Sequence, residues 1–330
     1  MFYRMCLVFL GMMGCSMVLF ADDALLKRAD AQQFIKAMVR EHQFDRKQLQ
    51  YILKEAKFQP QIIESMEKPY EKKTWDQYKA LFLTPQRVAA GVDFWRQNRQ
   101  VLARTEEQYG VPASMIVAIV GVETLYGKNQ GHYRVLDALT TLAFYYPKRS
   151  AFFTKELKEY LLLCRENHVS ATYYLGSYAG AIGKPQFMPS SYRFYAVDYS
   201  GNGHTDLMHE DQDVIASVAN YFHQHGWHMH DAVVQPLSFN SRQISSLQTN
   251  TKNPNYTYKH LVHMGLKSTE PVVHGVDKVG VIELMTPKGQ EYWLAHPNFY
   301  VITRYNTSPQ YALVVYLLAQ ELRQHYHATT

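Results

Sequence analysis

Apolar residues recur at helical spacing along the first part of the chain. Phe34, Ile35 and Met38 fall on one helical face, and Asp45 is placed to cap the helix that follows. Prolines separate these short segments, as expected between helices that pack against one another. The pattern therefore predicts an N-terminal helical domain over residues 22–110.

The pattern changes twice further along the chain. Residues 111–232 form a more apolar helical region rich in Gly, Ala and Tyr, whereas residues 233–298 are rich in Val, Thr, Ser, Asn, Pro and Gly. Within the second region, residues 278–284 alternate like a strand. A helix over 308–325 would then pack back onto the core. We predict a mainly α fold (α+β) with a catalytic core over 111–232 and 299–330, and a small β-containing insertion over 233–298.

The N-terminus has the features of an export signal. Residues 1–21 place Arg4 ahead of an apolar run that ends at Ala21, and the acidic Asp22 follows. The apolar run is marginal for a membrane-spanning helix, which needs about 20 such residues. We therefore expect cleavage after Ala21 and a periplasmic protein.

A lipid anchor is the less favoured alternative. Met12-Met13-Gly14-Cys15 is an imperfect lipobox, in which Cys15 would carry the lipid of an outer-membrane lipoprotein. Cys6 also lies in the signal, so Cys164 is the cysteine that clearly remains in the mature chain. An intramolecular disulfide is then excluded.

Composition and charge narrow the class of protein. The 330 residues are 47% hydrophobic and 19% charged, which is typical of a folded globular chain. The net charge of +5 is spread without a long basic run, so we expect no nucleic-acid partner. Tyrosine is abundant at 25 residues, which fits either sugar-binding clefts or half-buried packing.

One acidic residue interrupts the most apolar helical segment. Glu123 shares a predicted helix face with Ile116, Ile119 and Val120. Desolvation of a carboxyl on such a face raises its pKa, which suits a general acid near neutral pH. A buried structural Glu, satisfied by a Tyr or by the backbone, is the alternative interpretation.

Other titratable residues have simpler explanations. Glu156 and Glu159, beside Lys155 and Lys158, are predicted to lie on a solvated helix face. Asp137 is predicted to cap the N-terminus of a helix. The 15 histidines form no clear zinc motif.

Several long segments resemble the membrane-bound lytic murein transglycosylase B family of peptidoglycan-cleaving enzymes, across about residues 30–325. The matching segments are Tyr109-Gly110-Val111-Pro112, Gly121-Val122-Glu123-Thr124-Leu125-Tyr126-Gly127, Ser177-Tyr178-Ala179-Gly180-Ala181-Ile182-Gly183-Lys184-Pro185-Gln186-Phe187-Met188-Pro189-Ser190-Ser191-Tyr192 and Arg304-Tyr305-Asn306. The resemblance implies a lysozyme-like helical core preceded by a helical domain and interrupted by a small β domain.

The same resemblance implies the site residues. Glu123 matches the catalytic acid of the family, and the positions that line its cleft are Tyr78, Ser177, Gln186, Tyr221, Tyr305, Asn306 and Tyr311. Amides and hydroxyls bind sugar hydroxyl and N-acetyl groups, and tyrosine rings offer flat faces to pyranose rings. The glycines and prolines around Gln186 would also form a tight turn in any protein, and Pro185 directly precedes Gln186 in that turn.

A second motif has the donors of a calcium loop. Asp198, Ser200 and Asn202 place oxygens at loop positions one, three and five, and His204 offers a backbone carbonyl at seven. Position twelve is His209, which does not bind a hard cation, so a later carboxylate must close the loop. A solvated turn is the alternative.

The resemblance implies a lengthened loop closed by a late Asp. Counting back from the following helix selects Asp213 over Asp211, and the loop over 198–213 is then one residue longer than in the family. We expect a structural Ca²⁺ at this loop and no organic cofactor.

The core motifs offer a single carboxyl, whereas ordinary glycoside hydrolysis uses two. By resemblance, Glu123 alone would cleave the MurNAc-GlcNAc bond and form 1,6-anhydroMurNAc ends, acting first as acid and then as base. A lysozyme-type hydrolase and a non-catalytic peptidoglycan-binding protein remain alternatives. We expect a monomer whose partner is the peptidoglycan glycan strand, with other cell-wall enzymes as further candidate partners.

Overall fold

A computed structural model describes residues 21–67, 73–238, 244, 246–268 and 278–328 of the chain. The predicted signal over 1–21, with Cys6 and Cys15, lies outside these residues except for Ala21. Within the described part, none of the helices combines the length and the apolar character that a membrane span requires.

The described residues are mainly helical. The helices are α1 (Ala21–Lys27), α2 (Ala29–His42), α3 (Arg46–Glu55), α4 (Pro60–Met66), α5 (Trp75–Phe82), α6 (Pro85–Gln97), α7 (Arg99–Tyr109), α8 (Ala113–Thr124), α9 (Val135–Tyr145), α10 (Ser150–Glu166), α11 (Pro189–Tyr195), α12 (Asp211–Gln224), α13 (Tyr258–His263), α14 (Pro297–Tyr305) and α15 (Pro309–Ala328). The predicted cap of α3 is confirmed, because the Asp45 carboxylate accepts a hydrogen bond from the Gln48 N–H at 2.8 Å. The predicted closing helix is also present, as α15.

Two antiparallel sheets complete the described part of the fold. Their strands are β1 (Tyr133–Arg134), β2 (Leu175–Gly176), β3 (Val234–Ser238), β4 (Lys267–Ser268), β5 (Gly280–Thr286) and β6 (Gly289–Ala295). The larger sheet has the order β4-β3-β6-β5, so β5 is an edge strand. β5 also confirms the strand predicted from the alternation over 278–284.

Helix α8 runs through the centre of the helical core. Its residues are apolar on every side, and Ile116, Ile119 and Val120 are fully buried. Helices α6, α7, α12 and α15 pack around it. A helix that is hydrophobic all round is stable only inside such a core, so the neighbouring helices hold the end of α8 in place.

The two faces of the larger sheet bury different residues. Ile282 and Leu284 of β5 belong to the same apolar core as the helices. Val281 and Leu294 face the other way and join a small cluster with Leu261 of α13. The sheet is therefore fixed to the helical core by one face and completes a satellite core with the other.

Two predictions about acidic residues are wrong. Glu156 and Glu159 are buried, at 2% and 3% exposure, because α10 turns this face towards α11. Asp137 does not cap α9: it lies in the first turn, is buried, and forms an ion pair with Arg134 at 2.7 Å. It also accepts a hydrogen bond from the backbone N–H of Lys57, so it joins α9 to the chain after α3.

Candidate active site

Glu123 lies in the last turn of α8, where the central helix reaches the protein surface. Its carboxyl is partly buried and accepts a hydrogen bond from the Tyr311 hydroxyl at 2.5 Å. Burial raises the pKa of Glu123 to about 7, and the hydrogen bond from Tyr311 opposes that rise. At neutral pH this carboxyl is therefore divided between its acid and carboxylate forms.

The chain reverses sharply just after Glu123. Leu125, Tyr126 and Gly127 all have positive φ, at 51°, 59° and 88°. The Thr124 hydroxyl stabilises the reversal, because it accepts from the Gly127 N–H at 2.9 Å and donates to the Lys184 carbonyl at 2.8 Å. The end of α8 is thereby joined to the glycine-rich segment that carries Gln186.

Arg87 also binds the end of α8. Its guanidinium donates to the Gly121 carbonyl at 3.1 Å and to the carbonyls of Leu81 and Phe82 at 2.7 and 3.0 Å. A cation at these carbonyls complements the negative end of the helix. The sequence pattern did not indicate this role, since Arg87 is one of many basic residues on amphipathic helices.

Three aromatic residues form one wall beside Glu123. The rings of Tyr221 and Tyr305 lie 4.8 Å apart, and Phe187 packs on both, with centroid distances of 5.6 and 5.8 Å. The hydroxyl of Tyr305 donates to the Pro185 carbonyl at 2.6 Å, and that of Tyr221 donates to the Arg304 carbonyl at 2.7 Å. Burial, with Glu123 nearby, holds the pKa of Tyr305 well above its usual value, so its phenol stays neutral.

The glycine-rich segment presents Ser177 and Gln186 on two linked turns. The Ser177 hydroxyl oxygen accepts hydrogen bonds from the backbone N–H groups of Ala179 and Ala181 at 3.3 and 3.1 Å, which leaves its proton available to donate. Gln186 has a positive φ of 51°. Its amide nitrogen donates to the carbonyls of Gln130 and Gly183 at 3.1 and 2.9 Å, so its amide oxygen remains as an acceptor.

Asn306 and Tyr78 complete the predicted set, in different surroundings. Asn306 follows α14, and its side-chain oxygen accepts from the Ser308 N–H at 3.0 Å, which positions the start of α15. Tyr78 is 3% exposed and packs on Phe82 at 5.1 Å. Burial is the main cause that holds the pKa of Tyr311 well above its usual value, and Tyr78 is close enough to add to that rise.

The predicted metal loop is folded around its own side chains. The Asp198 carboxylate accepts from the N–H groups of Gly201 and Gly203 at 2.8 and 2.7 Å, and Asn202 Oδ1 accepts from the His204 N–H at 2.8 Å. Ser200 donates to Asp198 at 3.2 Å. The loop therefore gathers a carboxylate, a hydroxyl, an amide oxygen and a backbone carbonyl, which are the donors that a hard cation prefers.

The two candidate closing carboxylates have different partners. Asp213 is fully buried and accepts from the N–H groups of Tyr199 and Asp206, both at 2.9 Å and both in the loop. Asp211 forms an ion pair with Lys184 and accepts from Asn98 at 3.3 Å. Among the described residues, no three His, Cys, Asp or Glu side chains form a metal-binding cluster. The predicted donor set, with Asp213 as the closing residue, contains two carboxylates.

The chain matches known proteins over nearly its whole length. The transglycosylase SLT domain model matches residues 27–320. The membrane-bound lytic murein transglycosylase B of Escherichia coli K12 is 42% identical over 301 residues, covering 88% of this chain and 82% of the relative.

Solved structures show the same fold. The soluble lytic transglycosylase SltB1 of Pseudomonas aeruginosa is 44% identical, covers 89% of this chain and 98% of its own, and superposes with a TM-score of 0.82. The Escherichia coli lytic transglycosylase Slt35 in complex with calcium is 41% identical, covers 91% and 94% of the two chains, and has a TM-score of 0.82. The predicted lysozyme-like helical fold and the predicted family are therefore confirmed. This chain belongs to the transglycosylase SLT domain family, among the lytic murein transglycosylases of the B type.

Proposed function

We propose that this protein is a lytic transglycosylase that cleaves the β-1,4 bond between N-acetylmuramic acid and N-acetylglucosamine in peptidoglycan. The observation that carries this function is the partly buried carboxyl of Glu123, whose pKa of about 7 lets it hold a proton and release it near neutral pH. Family membership supplies the reaction class and the substrate class.

Glu123 acts first as a general acid. Since Tyr311 donates to Oε1 of Glu123, the proton of the neutral acid belongs on Oε2. Transfer of that proton to the bridging oxygen releases the N-acetylglucosamine side of the strand and leaves positive charge at C1 of the muramic sugar. The hydrogen bond from Tyr311 stabilises the carboxylate that results.

The same carboxylate then acts as a general base. It removes the proton from the C6 hydroxyl of the muramic sugar, and the C6 oxygen bonds to C1 to form a 1,6-anhydro end. Water is not consumed, so a second catalytic carboxyl is unnecessary. Burial and Tyr311 set the pKa of Glu123, without a contribution from another carboxylate of the described residues.

In this proposal the predicted cleft residues contact the sugar or support the residues that do. Ser177 can donate to the sugar and the Gln186 amide oxygen can accept from it. The aromatic wall of Tyr221, Tyr305 and Phe187 supports these turns, because Tyr305 donates to the carbonyl of Pro185 beside Gln186. The hydroxyl of Ser177, the amide of Gln186 and the neighbouring tyrosines together favour an uncharged polar ligand such as a glycan.

Product analysis tests the function. Purified peptidoglycan is digested with the full mature chain, and the products are identified by mass spectrometry. We expect products with 1,6-anhydromuramic ends, which are lighter by one water than reducing ends. Reducing ends would instead indicate a lysozyme-type hydrolase, and intact peptidoglycan would indicate a binding protein.

We also propose that the loop over 198–213 binds Ca²⁺ through Asp198, Ser200, Asn202, the His204 carbonyl and Asp213. The oxygen chemistry of these donors supports the proposal, and the Asp211 carboxylate is already paired with Lys184. The ion would supply stability, since it would join the loop to the first turn of α12 and bind only the folded chain.

Calcium titration tests this loop. We expect millimolar Ca²⁺ to raise the melting temperature of the chelated protein, and Asp198→Ala to abolish the rise. Binding at a hundred times Kd would stabilise the fold by about 2.7 kcal/mol. Identical melting with and without Ca²⁺ would show that the loop is only a turn.

Location follows from the same function. Peptidoglycan lies outside the cytoplasm, so we propose export and cleavage after Ala21, which gives a periplasmic chain. N-terminal sequencing of the mature protein would then start at Asp22, whereas a modified Cys15 would identify a lipoprotein. An intact Met1 from cytosol would contradict both.

A further inference from the structure

Gln186 lies at the end of a tight turn. The chain enters and leaves this turn at Ile182 and Phe187, whose backbone N–H groups each donate to the other's carbonyl, at 2.8 and 3.0 Å. Within it, the Gln186 N–H donates to the Gly183 carbonyl at 3.1 Å, which makes residues 183–186 a β-turn. This Gln186 turn has a fixed internal shape, so its direction in the protein depends on what its residues contact.

Contacts from α8, from α14 and from the segment before α12 hold the backbone of the Gln186 turn. The Lys184 N–H donates to the Leu207 carbonyl at 2.8 Å, and the Lys184 carbonyl accepts from the Thr124 hydroxyl at 2.8 Å. The Pro185 carbonyl accepts from the Tyr305 hydroxyl at 2.6 Å. A shift of any one of these contacts would change where the turn points.

Residues 207–211, which end at the first residue of α12, also support the side chain of Gln186. The Met208 carbonyl accepts from the side-chain amide of Gln130 at 3.1 Å. The backbone carbonyl of Gln130 in turn accepts from the Gln186 amide nitrogen at 3.1 Å. We call residues 207–211 the support segment, because the position of the Gln186 amide depends on them.

The side chain of Lys184 connects the turn to the same segment. Its ammonium group forms an ion pair with the Asp211 carboxylate and donates to the His209 carbonyl at 3.2 Å. Its aliphatic stem covers Gly127, where an added Cβ would lie 3.0–3.1 Å from the Lys184 stem carbons. The two charged side chains are 14% and 31% exposed, so water screens this pair less than it screens a fully exposed one.

Glu123 is held in a different way. It belongs to α8, which is buried along its length, and its carboxyl is bonded to Tyr311. Arg87 also bonds to the end of this helix. Loss of the Lys184 ion pair should therefore displace Gln186 more than Glu123.

We propose that Lys184 is a positioning residue that holds the Gln186 turn against the support segment through its ion pair with Asp211. The amide oxygen of Gln186 is thereby placed to accept a hydrogen bond from the sugar bound at Glu123. This inference rests on the proposed function, which assigns that acceptor role to Gln186. Because Lys184 acts through a residue that binds the sugar and not through the proton donor, its loss should lower affinity rather than turnover.

Lysine variants at two positions test the inference. Lys184→Met keeps the stem over Gly127 and removes the charge, whereas Lys184→Arg keeps both. Lys158→Met is the matched control, because Lys158 pairs with Glu159 at 3.1 Å on α10, a helix that carries none of the predicted cleft residues. Glu159 keeps its second partner, Arg193, after this substitution. Initial rates of glycan-strand cleavage give kcat and KM, and circular dichroism with thermal melting shows whether each variant folds.

We expect Lys184→Met to raise KM about tenfold, while kcat stays within about twofold of wild type. The pH–rate profile should not move, because Glu123 and Tyr311 keep their hydrogen bond. Lys184→Arg should restore KM to within about twofold of wild type, and Lys158→Met should leave KM unchanged. A substitution that merely destabilised the fold would lower the fraction of active enzyme, and hence kcat, without raising KM.

A second background separates the positioning of Gln186 from any other effect of Lys184. Gln186→Ala removes the amide, so Lys184→Met should raise KM no further when it is added to this variant. Asp211→Asn removes the other charge of the pair and should raise KM as Lys184→Met does, without an additional rise in the double variant. This variant also tests the ion pair if Lys184→Met fails to fold.

Equal KM values for Lys184→Met and Lys158→Met would overturn the assignment of Lys184, as would a rise in KM that persists in Gln186→Ala. A fall in kcat with KM unchanged, or a folded Asp211→Asn with the KM of wild type, would overturn it as well. These results leave the proposed function intact, because wild type still cleaves the strand. Absence of cleavage by wild type would overturn the proposed function itself.

Discussion

Helices α8 and α10 both bury carboxyl groups, but they surround them differently. Glu156 on α10 accepts hydrogen bonds from the Ser190 N–H and hydroxyl at 3.0 and 2.8 Å. Glu159 on α10 pairs with Lys158 at 3.1 Å and with Arg193. Glu123 on α8 has one donor within the described residues, the neutral hydroxyl of Tyr311.

The pKa values follow the number and charge of these donors. Burial raises the pKa of Glu156 despite the bonds from Ser190, whereas at Glu159 the bonds from Lys158 and Arg193 outweigh burial and lower it. Burial dominates at Glu123 and raises its pKa to about 7. A buried carboxyl thus has a pKa suited to proton transfer only where no cation forms a hydrogen bond or ion pair with it.

The largest expected effect is a difference in turnover between amide substitutions on α8 and on α10. Glu123→Gln should lower turnover of peptidoglycan by about 10²–10⁴-fold, because the amide keeps the shape but has no transferable proton. Glu156→Gln should retain turnover within a few fold. Cleavage assays with circular dichroism spectra as a folding control measure both.

Turnover of Glu123→Gln above a tenth of the wild-type rate would exclude Glu123 as the acid. A comparable loss in a folded Glu156→Gln would show that the α10 carboxyl also takes part.

The second prediction is that Glu123 and Glu159 affect the pH dependence of the free energy of unfolding in opposite directions. Between its unfolded pKa of 4.5 and its folded pKa of about 7, Glu123 binds protons more strongly in the folded state, so stability is lost as pH rises through this range. Glu123→Gln should therefore be more stable than wild type by about 3 kcal/mol at pH 8 and no more stable at pH 4.5.

Glu159→Gln provides the contrast. Because the folded pKa of Glu159 is lowered, its stabilisation is present above the unfolded pKa and is lost as pH falls through the lower folded value. Its amide variant should be less stable than wild type at pH 8. Urea unfolding at pH 8 and 4.5 measures the stability of both variants. If the two substitutions changed the free energy of unfolding in the same direction at pH 8, the comparison would be contradicted.

The smallest effect concerns Tyr311, which donates a hydrogen bond to Glu123. Tyr311→Phe removes a hydrogen bond that lowers the pKa of Glu123, so the pKa should rise and the pH–rate profile should shift to higher pH. We expect kcat to fall about tenfold, since the carboxylate loses its partner. Tyr160→Phe is the matched control, because the Tyr160 hydroxyl donates to the Ala171 carbonyl within the core. Identical profiles for the two variants would rule out a role for Tyr311 in tuning Glu123.

The sequence predicted secondary-structure elements more readily than contacts between side chains that are distant along the chain. Periodicity was sufficient for the cap at Asp45 and for β5, because these depend on neighbouring residues. Glu123 could be singled out because it interrupts a continuous apolar helix. Tyr311, however, meets Glu123 from 188 residues away, and only the resemblance to a family pointed to it.

The wrong prediction for α10 has the same origin. Lys155 and Lys158 made the face of Glu156 and Glu159 resemble a solvated one, since the local pattern does not show what packs against a helix. The partners Ser190 and Arg193 lie 34 residues after their glutamates. Long-range packing, rather than local spacing, decides which acids are structural.

The side chain of Tyr126, in the turn after α8, limits which residues can stand at Gly91 and Gly121. The hydroxyl of Tyr126 occupies the space where a Cβ would extend from Gly121 or Gly91, at 2.5 and 2.2 Å. An alanine at Gly121 would therefore collide with this phenol, and a smaller residue at Tyr126 would remove the collision and open a void. Substitutions at the two sites should show strong epistasis. Substitutions close to the Glu123 carboxyl are thus constrained to change together, because Gly91, Gly121 and Tyr126 share one space.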